Sequence, residues 1–233
     1  MSAPLAVLEG IDAGYGRAQV LFGMSLTVAA GEAVTLIGRN GMGKTTTIRT
    51  LFGLIPPTAG RVVLRGRDMT GAEPYAMAQS GLGYAPEGRR IFPRLTVEEN
   101  LVATARGAGP WTLARVFALF PRLAERSGHL GRQLSGGEQQ MLAIGRALMT
   151  NPDLIVLDEA TEGLAPVIRA EIWATLRALK AEGLAMLIVD KNLDALLPLA
   201  DRHVVIEKGH VVWTGSSAAL AQDRARATAY LEV

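Results

Sequence analysis

Residues 38–46 read GRNGMGKTT, with glycines at 38, 41 and 43 ahead of Lys44, Thr45 and Thr46. The spacing fits G-x-x-x-x-G-K-[ST]. It follows the apolar run AVTLI and opens the helix-like run KTTTIRTLFG. This pattern answers the demands of a polyphosphate. Glycines let successive backbone N–H groups turn toward one point, and a helix N-terminus adds partial positive charge. Lys44 would reach the β- and γ-phosphates, and Thr45 would offer its hydroxyl to Mg²⁺. The expected phosphate-binding residues are Gly38, Arg39, Asn40, Gly41, Met42, Gly43, Lys44, Thr45 and Thr46. A ligand-free glycine-rich turn is the competing reading, and the flanking strand and helix argue against it.

Two further apolar runs end in charge. LIVLDE (154–159) closes with Asp158 and Glu159. At a buried strand end Asp158 suits Mg²⁺ coordination through water, and Glu159 can polarise an attacking water. Alone, such a pair could simply mark solvent; beside a phosphate loop the functional reading gains weight. MLIVDKN (186–192) closes with Asp190, Lys191 and Asn192. Lys191 either belongs to a site or is a solvated strand-end lysine.

These residues need strands to carry them. AVTLIG (33–38), RVVLRG (61–66), LIVLDE, MLIVD (186–190), HVVIEKG (203–209) and HVVWTG (210–215) read as strands, the last two as a hairpin at Gly209-His210. LIVL and MLIV lack alternation, the mark of parallel strands covered on both faces. Between them PVIRAEIWATLRALKAEG (166–183) places Val167, Ile168, Ile172, Leu176 and Leu179 at helical spacing, with Pro166 at the start and Gly183 at the stop. Strand, helix, strand makes a βαβ unit and a parallel sheet. The tip of 186–190 should then share an edge with Asp158 and Glu159. From about Glu87 to Leu134 no good strand is found. TVEENLVATAR (96–106) reads as a helix with a Thr96–Glu99 capping box, and WTLARVFALFPRLAER (111–126) as a helix broken near Pro121. An inserted helical subdomain is expected.

The chain has 233 residues, 49% apolar and 20% charged, which suits one substantial α/β domain with a sizeable core. Net charge is +2, without a strong basic cluster, so nucleic acid is not an expected partner. There are no cysteines, which excludes disulfides and thiolate chemistry. The N-terminus lacks a basic region and meets Glu9 early, so no signal peptide is expected. No apolar run approaches the ~18 residues that span a bilayer.

LSGGEQQ (134–140) precedes the helical run EQQMLAIGRALM, whose Met141, Ile144 and Leu148 share a face. Such a start presents a hydroxyl and free N–H groups to an anion. This stretch resembles the signature of ATP-binding cassette ATPases, and the resemblance covers essentially the whole chain. It implies a P-loop NTPase (RecA-like) α/β core with a mainly parallel sheet, an N-terminal antiparallel β subdomain and the inserted helical subdomain. The implied layout is a single domain, core about 1–86 and 135–233, helical part about 87–134. ATP and Mg²⁺ are the implied cofactors. Ser135, Gly136, Gly137 and Glu138 would contact the γ-phosphate on a second ATPase subunit, in a head-to-tail dimer. Tyr15 in AGYGRAQVL matches the aromatic that stacks on adenine, with a plain core tyrosine as the alternative. TEGLAP (161–166) occupies the loop that crosses the dimer interface. Glu87 stands where most cassettes carry a Mg²⁺-sensing glutamine; a carboxylate can still ligate the ion, or sit in a solvated loop.

PEGRRIFPRLTVEENL, DEATEGLAP, GHVVWTG and the ending TAYLEV look like the second ATPase subunit (LivF-type) of high-affinity branched-chain amino-acid importers. This implies two transmembrane permease subunits, a substrate-binding protein and a peripheral place on the cytoplasmic face of a bacterial-type inner membrane. Two positions depart from the wider pattern. Ala160 replaces the common proline, which would loosen the loop. Lys191 replaces the histidine that contacts the γ-phosphate, so an ammonium could act as catalytic cation beside Lys44 and the base Glu159. The rival readings are a soluble cassette ATPase, which usually has two cassettes or a coiled-coil insert, and a catalytically weak regulatory cassette, which the intact Glu159 opposes.

Overall fold

The structure, a computed structural model, describes residues 4–222. The chain begins with β1 (Pro4–Tyr15), β2 (Ala18–Ala29) and β3 (Ala33–Ile37), then α1 (Lys44–Leu51). Next come β4 (Ala59–Leu64), β5 (Arg67–Asp68), α2 (Pro74–Gln79) and β6 (Leu82–Ala85). A helical stretch follows: α3 (Val97–Val102), α4 (Leu113–Leu119), α5 (Pro121–Glu125), a 3₁₀ turn at Gly131–Gln133, and α6 (Gly136–Met149). The remainder is β7 (Leu154–Asp158), α7 (Pro166–Ala181), β8 (Ala185–Val189), α8 (Leu193–Leu196), β9 (Arg202–Glu207), β10 (His210–Ser216) and α9 (Ser217–Gln222).

Two sheets result. One is antiparallel, ordered β2-β1-β4-β5; the other is ordered β10-β9-β3-β8-β7-β6 and is parallel except for β10. β3, β7 and β8 are buried at every residue. Their alternate side chains feed two cores. Ile155, Leu157, Met186 and Ile188 face the helices with Leu101, Met141, Ile144 and Leu176. Leu154, Val156, Leu187 and Val189 face α1 and the antiparallel sheet with Leu8, Ile11, Leu26 and Ile48. Burying a side chain of this size stabilises by roughly 1.5–3 kcal/mol, so the apolar runs are the mechanical frame of the molecule.

The structure extends the pattern read from sequence. β1 and β2 escape the alternation test because their register slips repeatedly, between Leu8 and Ile11 among other places. A bulge shifts the buried face by one residue and hides a period of two. β6 and α2, also unread from sequence, are only 4 and 6 residues long. α3 carries the expected capping box but ends at Val102, after which Arg106 N–H donates to the Met149 carbonyl. The helix over 111–126 does break: Phe120 leaves helical geometry and Pro121 opens α5. Flanking α3 to α5, an isolated antiparallel bridge joins Thr96 and Leu130, within the stretch where no strand is expected. In α7, Ile172, Leu176 and Leu179 are buried, but Val167 is exposed. The ending TAYLEV lies outside the described residues.

One buried histidine ties β3 to the start of α9. His203 is fully buried, with Nδ1 2.6 Å from the Thr35 hydroxyl and Nε2 2.8 Å from that of Ser217. Burial pushes its pKa down to about 4. In the unfolded chain it charges near 6.5, so between these values the unfolded state binds more protons. Stability should therefore fall as pH drops from about 6.5 toward 4, by up to about 3 kcal/mol from this residue. Urea unfolding at several pH values should show that acid limb flattened in His203→Gln.

Candidate active site

β8 lies between β3 and β7, and all three run parallel. Their C-terminal tips therefore open on one edge, as ligand sites of such sheets do. Asp158 stands opposite Val189, and Glu159 N–H donates to the Val189 carbonyl at 2.8 Å. The phosphate loop, the acidic pair and Lys191 thus meet because three strands end together.

The loop between β3 and α1 is shaped by close contact. A Cβ on Gly38 would sit 2.4 Å from the Ile206 carbonyl oxygen, and one on Gly43 2.8 Å from Leu21 Cδ2. Gly43 also has φ +110°, a region that disfavours side chains. From the β9–β10 turn Gly209 N–H donates to the Met42 carbonyl at 3.0 Å. Asn40, Gly41, Gly43, Lys44, Thr45 and Thr46 line a cleft of about 510 Å³ together with Tyr15, Glu87, Glu159 and Glu162. Lys44 folds over the loop, its Nζ donating to the Gly38 carbonyl at 2.7 Å and the Arg39 carbonyl at 2.9 Å. Burial lowers its pKa, against the raising effect of Glu159. Two of its three donors are thereby used, and a phosphate can take the third. Tyr15 is not a core tyrosine: its side chain is half exposed at this cleft, and its hydroxyl accepts from Arg49 Nη1 at 3.0 Å.

Asp158 is 1% exposed. Its Oδ2 accepts from the Tyr84 hydroxyl at 3.4 Å, while its Oδ1 is buried without a partner. Burial, then the charge of Glu87, pushes its pKa up. An orphaned buried carboxylate oxygen sharing a cleft with the Thr45 hydroxyl fits a hydrated divalent cation. Thr45 and Asp158 would hold Mg²⁺, which would neutralise phosphate charge there. Glu87 is exposed and lines both clefts. Its carboxylate lies with those of Glu159 and Glu162, ligand atoms all within 4.8 Å of one another.

Glu159 adopts φ +51°, uncommon for a residue with a side chain and a local strain at the strand tip. A hydrogen bond to Glu162, then burial, pushes its carboxyl up to about 7. That range suits a general base at neutral pH. Lys191 does not simply point to solvent. Its Nζ lies 3.0 Å from Glu162 Oε1 and 3.9 Å from Glu159 Oε1. The Glu162 bond raises its pKa. Asp190 is buried and engaged elsewhere, accepting from the Thr161 hydroxyl at 2.7 Å and Asn192 N–H at 2.9 Å. Ala160 is buried in the helical-side core, in a loop held at its neighbours by the Glu159–Val189 and Thr161–Asp190 bonds.

Ser135 caps α6 in a capping box with Glu138, whose Oε1 pairs with Arg126 at 2.7 Å. Gly136 sits against the Arg89 guanidinium and Gly137 against Ile168. None of Ser135, Gly136, Gly137 and Glu138 lines the two clefts at the phosphate loop. Glu162 was not singled out by sequence reasoning, nor was Tyr84. The signal for Glu162 was a second glutamate three positions after Glu159, close enough for one tight turn, which the Glu162 N–H to Glu159 carbonyl bond at 3.3 Å closes.

Two substitutions test this geometry. Lys44→Ala should weaken ATP binding at least about tenfold, since it removes a charged phosphate donor; unchanged affinity by titration would reject the loop's role. Glu159→Gln should keep ATP binding but lower hydrolysis at least ~100-fold, the scale of a general base; single-turnover rates check it.

Residues 21–162 match the ABC transporter family. The chain is 42% identical to the high-affinity branched-chain amino acid transport ATP-binding protein BraG of Pseudomonas aeruginosa, over 93% of this chain and 95% of that protein. It is 33% identical to the lipopolysaccharide export system ATP-binding protein LptB of Escherichia coli, over 93% and 92%. Among solved structures it superposes on a nucleotide-free ATP-binding cassette from an ABC transporter with TM-score 0.81 and 29% identity, covering 92% of each chain. It also matches an ATP-binding cassette of an ABC transporter in its ADP conformation, with TM-score 0.80 and 28% identity, covering 95% of this chain and 96% of that one. The family match and the identity along nearly the whole chain agree with the phosphate loop at this sheet edge: the chain belongs to the ABC transporter family and is one of its ATP-binding cassette ATPases.

Proposed function

We propose that the protein is the ATP-hydrolysing subunit of an importer for branched-chain or related small amino acids. The carrying observation is the 42% identity to BraG over nearly the full length of both chains. The LptB similarity, at 33–34% over a comparable span, makes lipopolysaccharide export the second reading.

In the proposed mechanism the phosphate loop and Lys44 bind the polyphosphate, and Tyr15 offers its ring to the base. Glu159 takes a proton from the attacking water, whose oxygen bonds to the terminal phosphorus as the β–γ bridge breaks, leaving ADP and phosphate. Ser135 to Glu138 complete the site of a second ATPase subunit. Their standing apart from the clefts of their own chain supports that reading.

The partners proposed are two membrane permease subunits and, through them, a substrate-binding protein. No described helix is long and apolar enough to cross a membrane. A groove of about 320 Å³ lined by Phe52, Leu54, Ala78, Leu82, Tyr84 and Ala147, with Arg89, Arg90 and Arg146 around it, suits a permease segment. Tyr84 lines this groove and also donates to Asp158, a physical link between permease and nucleotide. The proposed place is the cytoplasmic face of the inner membrane.

Cells lacking this gene should lose high-affinity uptake of labelled leucine, isoleucine, valine or related amides. The wild-type gene, but not Lys44→Ala, should restore it. Normal uptake together with loss of surface lipopolysaccharide would move the protein to the export reading.

A further inference from the structure

Lys191 has two carboxylates within reach, and they differ in consequence. One is the base Glu159, whose side chain is 12% exposed; the other is Glu162, whose side chain is 54% exposed. The ammonium sits on the more exposed partner, 3.0 Å from Glu162 Oε1 against 3.9 Å from Glu159 Oε1. Screening by water makes the Glu162 pair the weaker of the two per unit distance, so Glu162 wins by position. The turn that puts Glu162 three residues after Glu159 supplies that position.

Several of the other charges nearby are engaged elsewhere. Asp190 is occupied by Thr161 and Asn192. Lys44 is folded onto the Gly38 and Arg39 carbonyls. Asp158 is buried on the far side of the tip with Tyr84. Glu87 belongs to the carboxylate cluster, yet no ion pair joins it to Lys191 among the described residues. Arg169 lines the side cleft of about 410 Å³ that Lys191 shares with Glu159 and Glu162.

We propose that Glu162 is a positioning residue that draws the Lys191 ammonium off Glu159, so that the cation does not occupy the carboxylate oxygen that must take the proton from water. The inference rests on Glu159 being the base. If the Glu162 charge is removed, the nearest carboxylate left to Lys191 is the better-shielded Glu159. An ammonium seated there occupies the oxygen that must take the proton, so hydrolysis slows. Meanwhile one negative charge leaves the mouth of the phosphate cleft, which Glu162 lines. Nucleotide binding should not weaken.

The test is steady-state ATP hydrolysis by the full chain, together with the membrane proteins that co-purify with it. Glu162→Gln should lower kcat roughly tenfold or more, the scale of one charged hydrogen bond, with KM for ATP unchanged or lower. Glu162→Asp, which keeps the charge, should stay nearer wild type. The double variant Glu162→Gln, Lys191→Ala should be faster than Glu162→Gln and match Lys191→Ala alone. A glutamate that only shaped the loop would show no such rescue. Wild-type kcat in Glu162→Gln, or a double variant as slow as Glu162→Gln, would overturn the proposal. Glu159→Gln measured in parallel separates the two ideas: wild-type hydrolysis in that variant would remove the base assignment itself. Thermal melts alongside confirm that each variant is folded.

Discussion

A strand buried on both faces has no room for charge along its length. β3, β7 and β8 are buried at every residue and carry no charge before their C-terminal tips, where β7 ends in Asp158. The parallel direction of all three sends one kind of end to one edge. Charges that the core excludes are therefore concentrated within a few ångströms of each other. The active site follows from what the frame cannot hold elsewhere.

Such crowding has to be balanced locally. Asp158, Glu159, Glu162 and Asp190 gather at the tips of β7 and β8, joined by Glu87 from beyond β6. Facing them are Lys44 and Lys191. Asp190 is quieted by hydrogen bonds, and Asp158 keeps one oxygen without a protein partner, a place for a cation. Glu159 and Glu162 sit so close that the first is pushed to about 7 while the second is lowered, held by its bonds to Glu159 and Lys191. One turn thus yields two glutamates with opposite tendencies, from a difference in burial and in neighbours.

Much of this was readable from residue order. The phosphate loop, the two charge-tipped apolar runs and the helix between them each carry their signal locally, in spacing that no tertiary contact alters. Their convergence followed from the handedness and direction of a βαβ unit. The N-terminal strands were unread from periodicity because bulges at Gly10 and beyond break the alternation. Lys191 shows a different limit. Its position was legible, but its partner was not, because Glu162 reaches it across 29 positions of chain through a turn whose geometry depends on Glu159 at positive φ. Tyr84 is similar: a tyrosine in a four-residue strand gives no hint that its hydroxyl meets Asp158.

The β9–β10 turn carries a last consequence. Gly209 passes so close to β2 that a Cβ would lie 1.9 Å from the Val20 carbonyl oxygen, and its N–H clamps Met42. His210 stacks on Phe22 with ring centroids 5.2 Å apart, fastening the same turn to the antiparallel sheet. Together with the packing of Ile206 and Leu21 on the glycines, these contacts give the phosphate loop its curvature from segments far away in the chain. The entropy of ordering the loop is then lost during folding, before any nucleotide arrives. Binding at this edge becomes preorganised. Damage to a distant hairpin would consequently weaken nucleotide affinity without touching a single phosphate contact.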